Sequence, residues 1–337
     1  MKVLIIGGSG LLGSQAAWEL TSRGHEVRGL SLPPLPQGAR FPEGMEHRFA
    51  SYLDMTDAEL SDCLSGCEGL VFAAGVDERV KVKPPVEAFY EKYNNAPLGR
   101  ILRLARATGV RHAVVLGSYF THFNRKWPAL RLQEYHPYIK SRAQQQAIAL
   151  SFAGPGFDVA VLGLPYIFGT QPGRRPVWAF LTGMISGMPL VTLFPRGGTA
   201  MVTVRQVGQA IAGALEKNRG GQAIPVGWYN LRFKQMLRIF QEGMGLPRKP
   251  VIGIPACLFR LGARGIMRQD RREGVQGGLH LPRFARVMAL EAYIGKEEGS
   301  LALGVTEDDI KAAILDSARL SMTALKGDTP MVAMPKE

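Results

Sequence analysis

The stretch VLIIGGSGLLG, residues 3 to 13, constrains the fold of this chain more than any other. Val3 to Ile6 form a short apolar run of the kind found in a buried parallel strand. Gly7, Gly10 and Gly13 follow at G-x-x-G-x-x-G, and Leu11, Leu12, Ala16, Ala17 and Leu20 then take up helical spacing. Strand, glycine turn and helix make the opening of a dinucleotide-binding βαβ unit. Gly7 permits the tight turn, Gly10 lets the backbone approach a pyrophosphate, and Gly13 lets helix and strand pack closely. The helix start, with Leu11 and Leu12 in its first turn, offers free N–H groups and a partial positive charge to phosphates.

The same rhythm runs on. Strands are expected at 25–30, 47–52, 69–74, 112–117 and over FDVAVLGLP (157–165). Helices are expected over LDMTDAELSDCL, capped by Thr56 or Asp57, and at 85–108 and 138–152. This alternation predicts an α/β fold, a Rossmann-like doubly wound parallel sheet. Past Pro165 glycines and prolines cluster, and helices are expected at 177–187, 205–217, 232–245, 256–268, 282–295 and 306–320. That part reads as a smaller, mostly helical C-terminal substrate-binding portion over the carboxyl ends of the strands, where ligands bind in open sheets. The expected division is 1–165 for the dinucleotide domain, 166–325 for the substrate portion and 326–337 for a tail. Around 200–230 the chain is expected to cross back to the sheet.

Composition narrows the class. With 46% hydrophobic and 20% charged residues, the chain is ordinary for a globular protein. No apolar stretch reaches the roughly 20 residues of a membrane span. The start MKVLIIGG lacks a proper leader core and cleavage site, so a cytoplasmic location is expected. Cys63, Cys67 and Cys257 suit neither a disulfide framework nor a zinc site, and no metal is expected. The net charge of +13 gathers in arginines at 100–111 and 260–286. A solvated basic face is the first reading, ahead of an anionic substrate or acyl-carrier partner and of a membrane surface. Nucleic acid is not expected, because no binding motif accompanies the arginines.

Several motifs together resemble the extended short-chain dehydrogenase/reductase superfamily, of the NAD-dependent epimerase/dehydratase and 3β-hydroxysteroid-dehydrogenase-like kind. GGSGLLG is similar to its glycine loop. LDMTD with GCEGLVFAAG resembles its adenine-contacting Asp, here Asp54, and the strand behind the cofactor, ending at Ala73, Ala74 and Gly75. YNNAPLGRILRLARATGVRHAVVLGS resembles the helix and strand that carry a family Asn, here Asn94. LGLPYIFG, with Pro165 and Tyr166, resembles the segment that passes the nicotinamide. The likeness covers nearly the whole chain.

The resemblance implies a Tyr-x-x-x-Lys pair with a Ser or Thr: the Tyr moves a proton at a carbinol oxygen, the Lys lowers its pKa and holds the ribose, and the hydroxyl orients substrate. Here YIKSRAQQQ puts Tyr138 at the Tyr position and Arg142 at the Lys position. Lys140 is no substitute, since i+2 points about 200° around a helix. Arg142 remains cationic and able to bind ribose hydroxyls, but its planar fork does not pass a proton. For the hydroxyl, VVLGSYFTH offers Ser118 first, with Tyr119 beside it. Arg205 and Gln206 stand where the family usually has an acid.

An acid at the end of the second strand would select NAD; Ser31 stands there, so NADP(H) is favoured over NAD(H), with Arg28 or Arg40 as candidates for the 2′-phosphate. The resemblance implies an NAD(P)-dependent oxidoreductase or epimerase-type enzyme acting on a carbonyl or secondary alcohol. Two alternatives stay open: a non-redox lyase, dehydratase or cyclase using the same Tyr-Arg pocket, and a non-catalytic NADP-binding sensor. The expected partner is a small-molecule substrate lying among loops 76–84, 119–137 and 169–203, whose basic residues suit an anionic or carrier-linked one and whose Trp127, Trp178, Phe180 and Phe194 equally suit a hydrophobic one. A homodimer through the helices at 85–108 and 138–152 is open too.

Overall fold

The structure, a computed structural model, describes residues 1–327 and 331–332; the rest of the expected tail lies outside the described residues. Seven strands, β1 (Lys2–Ile6), β2 (Glu26–Ser31), β3 (Glu46–Phe49), β4 (Gly69–Phe72), β5 (His112–Ser118), β6 (Asp158–Leu164) and β7 (Gly221–Pro225), form one sheet. Their order is β3-β2-β1-β4-β5-β6-β7, and every neighbouring pair is parallel. The order reverses between β1 and β4. Such a switch point opens a crevice at the carboxyl ends of the strands.

Side chains alternate along the strands and fill two cores. Val3, Ile5, Val71 and Val114 face α1 (Leu11–Ser22) and α5 (Val204–Lys217). Leu4, Ile6, Leu70, Phe72 and Val115 face the layer of α2 (Asp57–Leu64), α3 (Ala96–Ala107) and α4 (Pro137–Ser151). Each fully buried aliphatic side chain contributes about 1.5–3 kcal/mol of transfer free energy. Thr56 caps α2 in a capping box with Glu59.

The helix expected at 85–108 is not continuous. It enters as Val86–Tyr90, passes through a π-turn at Glu91–Asn95 and resumes as α3. Pro97 has no N–H for the i→i−4 bond, which favours a break at this point. The wider turn places Asn94 fully buried, beneath the loop after β4.

Beyond β6 the chain carries more strand than its pattern suggests. Tyr166–Phe168, Gly198–Thr203, Tyr229–Arg232 and Glu291–Ala292 form a second sheet, over which pack the helices Ala179–Ser186, Phe233–Gly243 and Ile310–Lys326. The helix expected at 282–295 is a correction: only Leu281–Phe284 is α-helical, followed by a 3₁₀ turn at Val287–Ala289 and the strand. The backbone there is drawn into long-range pairing, with Gly197 N–H donating to Met288 O and Gly198 N–H to Leu290 O. A helix could not offer those carbonyls sideways.

Gln206 explains how the chain manages without the family's acid. Thr203 Oγ1 accepts from Gln206 N–H at 3.2 Å, and Gln206 Oε1 accepts from Thr203 N–H at 3.0 Å. Its amide also donates to Thr306 O at 2.9 Å. A neutral capping box thus starts α5 and ties it to the chain before Ile310–Lys326.

A close backbone approach lies at the start of α1. A Cβ on Gly13 would stand 2.2 Å from Gly7 O, against backbone that has no room to move. Gly13→Ala is therefore expected to lower the unfolding free energy by about 2–3 kcal/mol, read from urea denaturation.

Candidate functional site

β1 delivers the chain into the glycine loop. Gly7 takes φ +90°, and a Cβ there would lie 2.8 Å from Ala73 O. Gly10 N–H donates to Gly7 O at 2.9 Å, and α1 begins with neither a capping side chain nor an acid in its first turn. Leu11, Leu12 and Gly13 supply that turn. Ser31, buried at the end of β2, accepts from Ser9 N–H at 2.8 Å and so shapes the loop itself. Arg28 is occupied by Glu46 (2.8 Å) and Cys63 O (3.0 Å), whereas Arg40 is exposed. Asp54 is exposed on the turn after β3.

Residues 171–174 lie over this loop. Gln171 and Arg174 both donate to Ser9 O at 3.1 Å, and Arg174 Nε donates to Gln171 Oε1 at 3.0 Å. Burial alone pulls the Arg174 pKa down, and Arg174 has no acid partner among the described residues. The motifs gave Arg174 no role; only its place in an arginine-rich loop pointed to it.

At the other end of the crevice, β4 runs into Ala73, Ala74 and Gly75. A Cβ on Gly75 would stand 2.8 Å from Asn94 Oδ1, so glycine is needed there. Asn94 clamps Val76 on both sides, accepting from its N–H at 2.8 Å and donating to its carbonyl at 3.2 Å. Arg142 enters the same knot from α4. Its guanidinium donates to Gln145 Oε1 at 2.7 Å, Val76 O at 3.0 Å and Leu116 O at 3.5 Å. It is 8% exposed, it has no carboxylate partner among the described residues, and its Nε is buried with no acceptor.

Tyr138 lies one turn earlier on α4, with the Arg142 guanidinium carbon 5.3 Å from its ring centre. Burial pushes the Tyr138 phenol up, Arg142 pulls it down, and Glu78 and Asp77 push it up again, for a net rise. Tyr138 is thus protonated at neutral pH. The Tyr90 ring lies tilted against it at 5.8 Å, and its hydroxyl donates to Asp77 O at 3.0 Å. Glu78, in the same loop, is held above the usual carboxylate range by burial and by Asp77. It influences Tyr90, Tyr119, Tyr138 and Tyr166, an influence that no local pattern in the sequence signals.

The two hydroxyl candidates part company. Ser118 ends β5, buried, and its Oγ accepts only a long bond from Phe120 N–H at 3.4 Å. Tyr119 turns its hydroxyl to Thr199 Oγ1 at 3.0 Å, within the core under the second sheet. Tyr166, past Pro165, packs its ring 5.2 Å from Trp178. Arg79 ties the crevice to the lobe, pairing with Asp77 and donating to Val177 O.

These residues fit a nicotinamide dinucleotide. The loop and the open first turn of α1 suit a pyrophosphate. The orphaned Nε of Arg142 is a buried donor awaiting an oxygen, as ribose hydroxyls would supply.

The family model for the NAD dependent epimerase/dehydratase family matches residues 3–227. A search of curated protein sequences found no significant match. Among solved structures, gox2253 superposes with a TM-score of 0.70 at 19% identity, over 98% of this chain and 99% of its own. MoeE5 in complex with UDP-glucose and NAD gives 0.65 at 18%, over 96% and 100%. A nucleoside-diphosphate-sugar epimerase from Pseudomonas aeruginosa gives 0.64 at 16%, over 98% and 99%. Each likeness is one of fold.

The start of α4 carries a titratable anchor. His136 is buried just before Tyr138; its Nδ1 accepts from His280 N–H at 3.1 Å, and its ring meets Phe284 edge-on. Burial, with His280 and Arg283 nearby, lowers its pKa to about 4. The unfolded chain therefore takes up the proton first, and stability is lost as pH falls from about 6.5 towards 4, by about 3 kcal/mol. Thermal unfolding across that window should show the loss, and His136→Asn, which keeps an acceptor, should flatten it.

Proposed function

The chain belongs to the NAD dependent epimerase/dehydratase family, and from that premise we propose that it is an oxidoreductase or epimerase-type enzyme acting on a carbonyl or secondary alcohol. One observation carries this reading. Tyr138 and Arg142 meet in a buried pocket where the cation is surrounded by neutral oxygens and keeps one donor unpartnered.

A bound nicotinamide would supply hydride exchange, and the protein's residues would do the rest. Gly7, Gly10, Gly13 and the amides of Leu11 and Leu12 hold the pyrophosphate, and Arg174 over the loop adds a positive charge. Asp54 and Ser31 lie at the adenosine end. With no carboxylate at Ser31 to repel a 2′-phosphate, NADP(H) is preferred, and exposed Arg40 is the better placed of the two arginines to meet it. Ala73, Ala74, Gly75, Pro165 and Tyr166 line the nicotinamide end, where Asn94 fixes the backbone.

Arg142 holds the ribose hydroxyls and favours the ionised form of Tyr138. The Tyr138 phenol, protonated at rest, donates to the substrate oxygen as negative charge develops on it, and takes the proton back in reverse. Ser118 orients that oxygen. Tyr119 serves behind it, since Thr199 engages its hydroxyl. The substrate is a small molecule, and its anionic character is supported by the UDP-glucose that MoeE5 holds.

Turnover of carbonyl substrates, followed by absorbance of the reduced nicotinamide, tests the reading. Tyr138→Phe, at a residue expected both to move the proton and to touch the cofactor, should lower kcat by about 10²–10⁴-fold. Full activity in that variant would contradict it.

A further inference from the structure

The lobe carries a surface that none of the residues assigned to the proposed reaction enters. The helix Ala256–Arg272 lies along the outside of the protein and buries only Ala263 and Asp270. Leu258, Leu261, Gly262, Gly265 and Ile266 recur at i, i+3, i+4, i+7 and i+8, so they form one stripe. That stripe faces solvent: Leu258 is 56%, Leu261 64% and Ile266 47% exposed. The helix packs beside the strand Thr192–Pro195, where Leu193 and its register partner Ile252 are exposed as well.

A second stripe runs alongside the first. Arg260, Arg264, Arg268 and Arg271 recur at i, i+4, i+8 and i+11 and form one wall of a groove of about 580 Å³. Arg283 and Arg286 stand on the other wall, and Arg283 stacks over Tyr135 with its guanidinium carbon 3.6 Å from the ring centre. The nearby acids are already committed. Asp270 pairs with Lys81 at 2.7 Å, Glu134 with Arg131, and Glu273 accepts from Gln269. Among the described residues, Arg260, Arg264, Arg268, Arg271 and Arg286 have no ion pair, and no shifted acid faces them.

A helix lying in the surface, with apolar side chains on one side and arginines on the next, is the arrangement that settles at the boundary of an anionic bilayer. The leucines enter the acyl region while the arginines reach headgroup phosphates. We propose that the helix Ala256–Arg272 and its arginine groove form a peripheral docking face for anionic phospholipid membrane.

Co-sedimentation with vesicles tests this at physiological salt. The whole protein should bind phosphatidylcholine/phosphatidylglycerol vesicles about tenfold or more tightly than phosphatidylcholine alone. Leu258→Ser with Leu261→Ser, and separately Arg260→Gln with Arg264→Gln, should each weaken binding about tenfold, with thermal midpoints unchanged because all four side chains are exposed. Three results would overturn the proposal. One is no preference of the unaltered protein for anionic vesicles, which needs no variant to read. Another is adsorption that the serine pair leaves intact, which would be bulk charge attraction. The last is a dimer in light scattering that the serine pair dissociates, which would mean that a second copy covers the face.

Discussion

A guanidinium with no carboxylate partner among the described residues holds the centre of this protein. Taking an arginine out of water is costly, and the usual remedy is an opposing acid. Arg142 has instead Gln145 Oε1 and the carbonyls of Val76 and Leu116. Those acceptors come from α4, from the loop after β4 and from β5, so one cation fixes three elements at the carboxyl end of the sheet. Asn94 then locks Val76 from below, and Gly75 is confined by the Asn94 side chain. Partial dipoles hold the charge in place without neutralising it, which leaves it available to bias the Tyr138 phenol and to meet a ligand.

An apolar cluster joins Tyr90, Phe123, Tyr138 and Ile139 to Phe168, Trp178, Phe240 and Phe284, and polar contacts add to it. The Thr203–Gln206 capping box starts the helix that packs on α1, and Gln206 reaches Thr306. Gln171 and Arg174 bring the lobe onto the Ser9 carbonyl of the glycine loop. Arg79 does so at the other end through Val177 O. Hydrogen bonds from the lobe thus reach both ends of the crevice, beside that apolar core. This division lets the site be polar without weakening the packing.

What could be read from the sequence was what local chemistry decides. The β1–glycine–α1 unit announces itself because strand, turn and helix signals are contiguous. Arg142 was recognisable because i+4 on a helix is a fixed direction from Tyr138, whichever residue occupies it. What escaped depends on partners distant in sequence. The π-turn at 91–95 hides inside an apolar pattern that suits a continuous helix. The 282–295 segment has helical composition, yet its carbonyls are claimed by Gly197 and Gly198. Ser118 and Tyr119 are adjacent and equally plausible on paper; Thr199, eighty residues on, engages Tyr119. Glu78 and Arg174 sit in loops whose environment no spacing encodes. The pattern at 256–268 predicts a helix but does not say whether its leucines are covered, and Leu258 and Leu261 prove to be exposed.

Calorimetric titration of the protein and of Arg142→Met with NADPH and NADH tests the central claim most directly. If Arg142 is kept for its ligand, the folded variant loses about tenfold or more in affinity for NADPH and NADH alike. A folded variant that binds either nucleotide as well as the unaltered protein would show that the buried cation serves the fold alone, and the account of the site would fail.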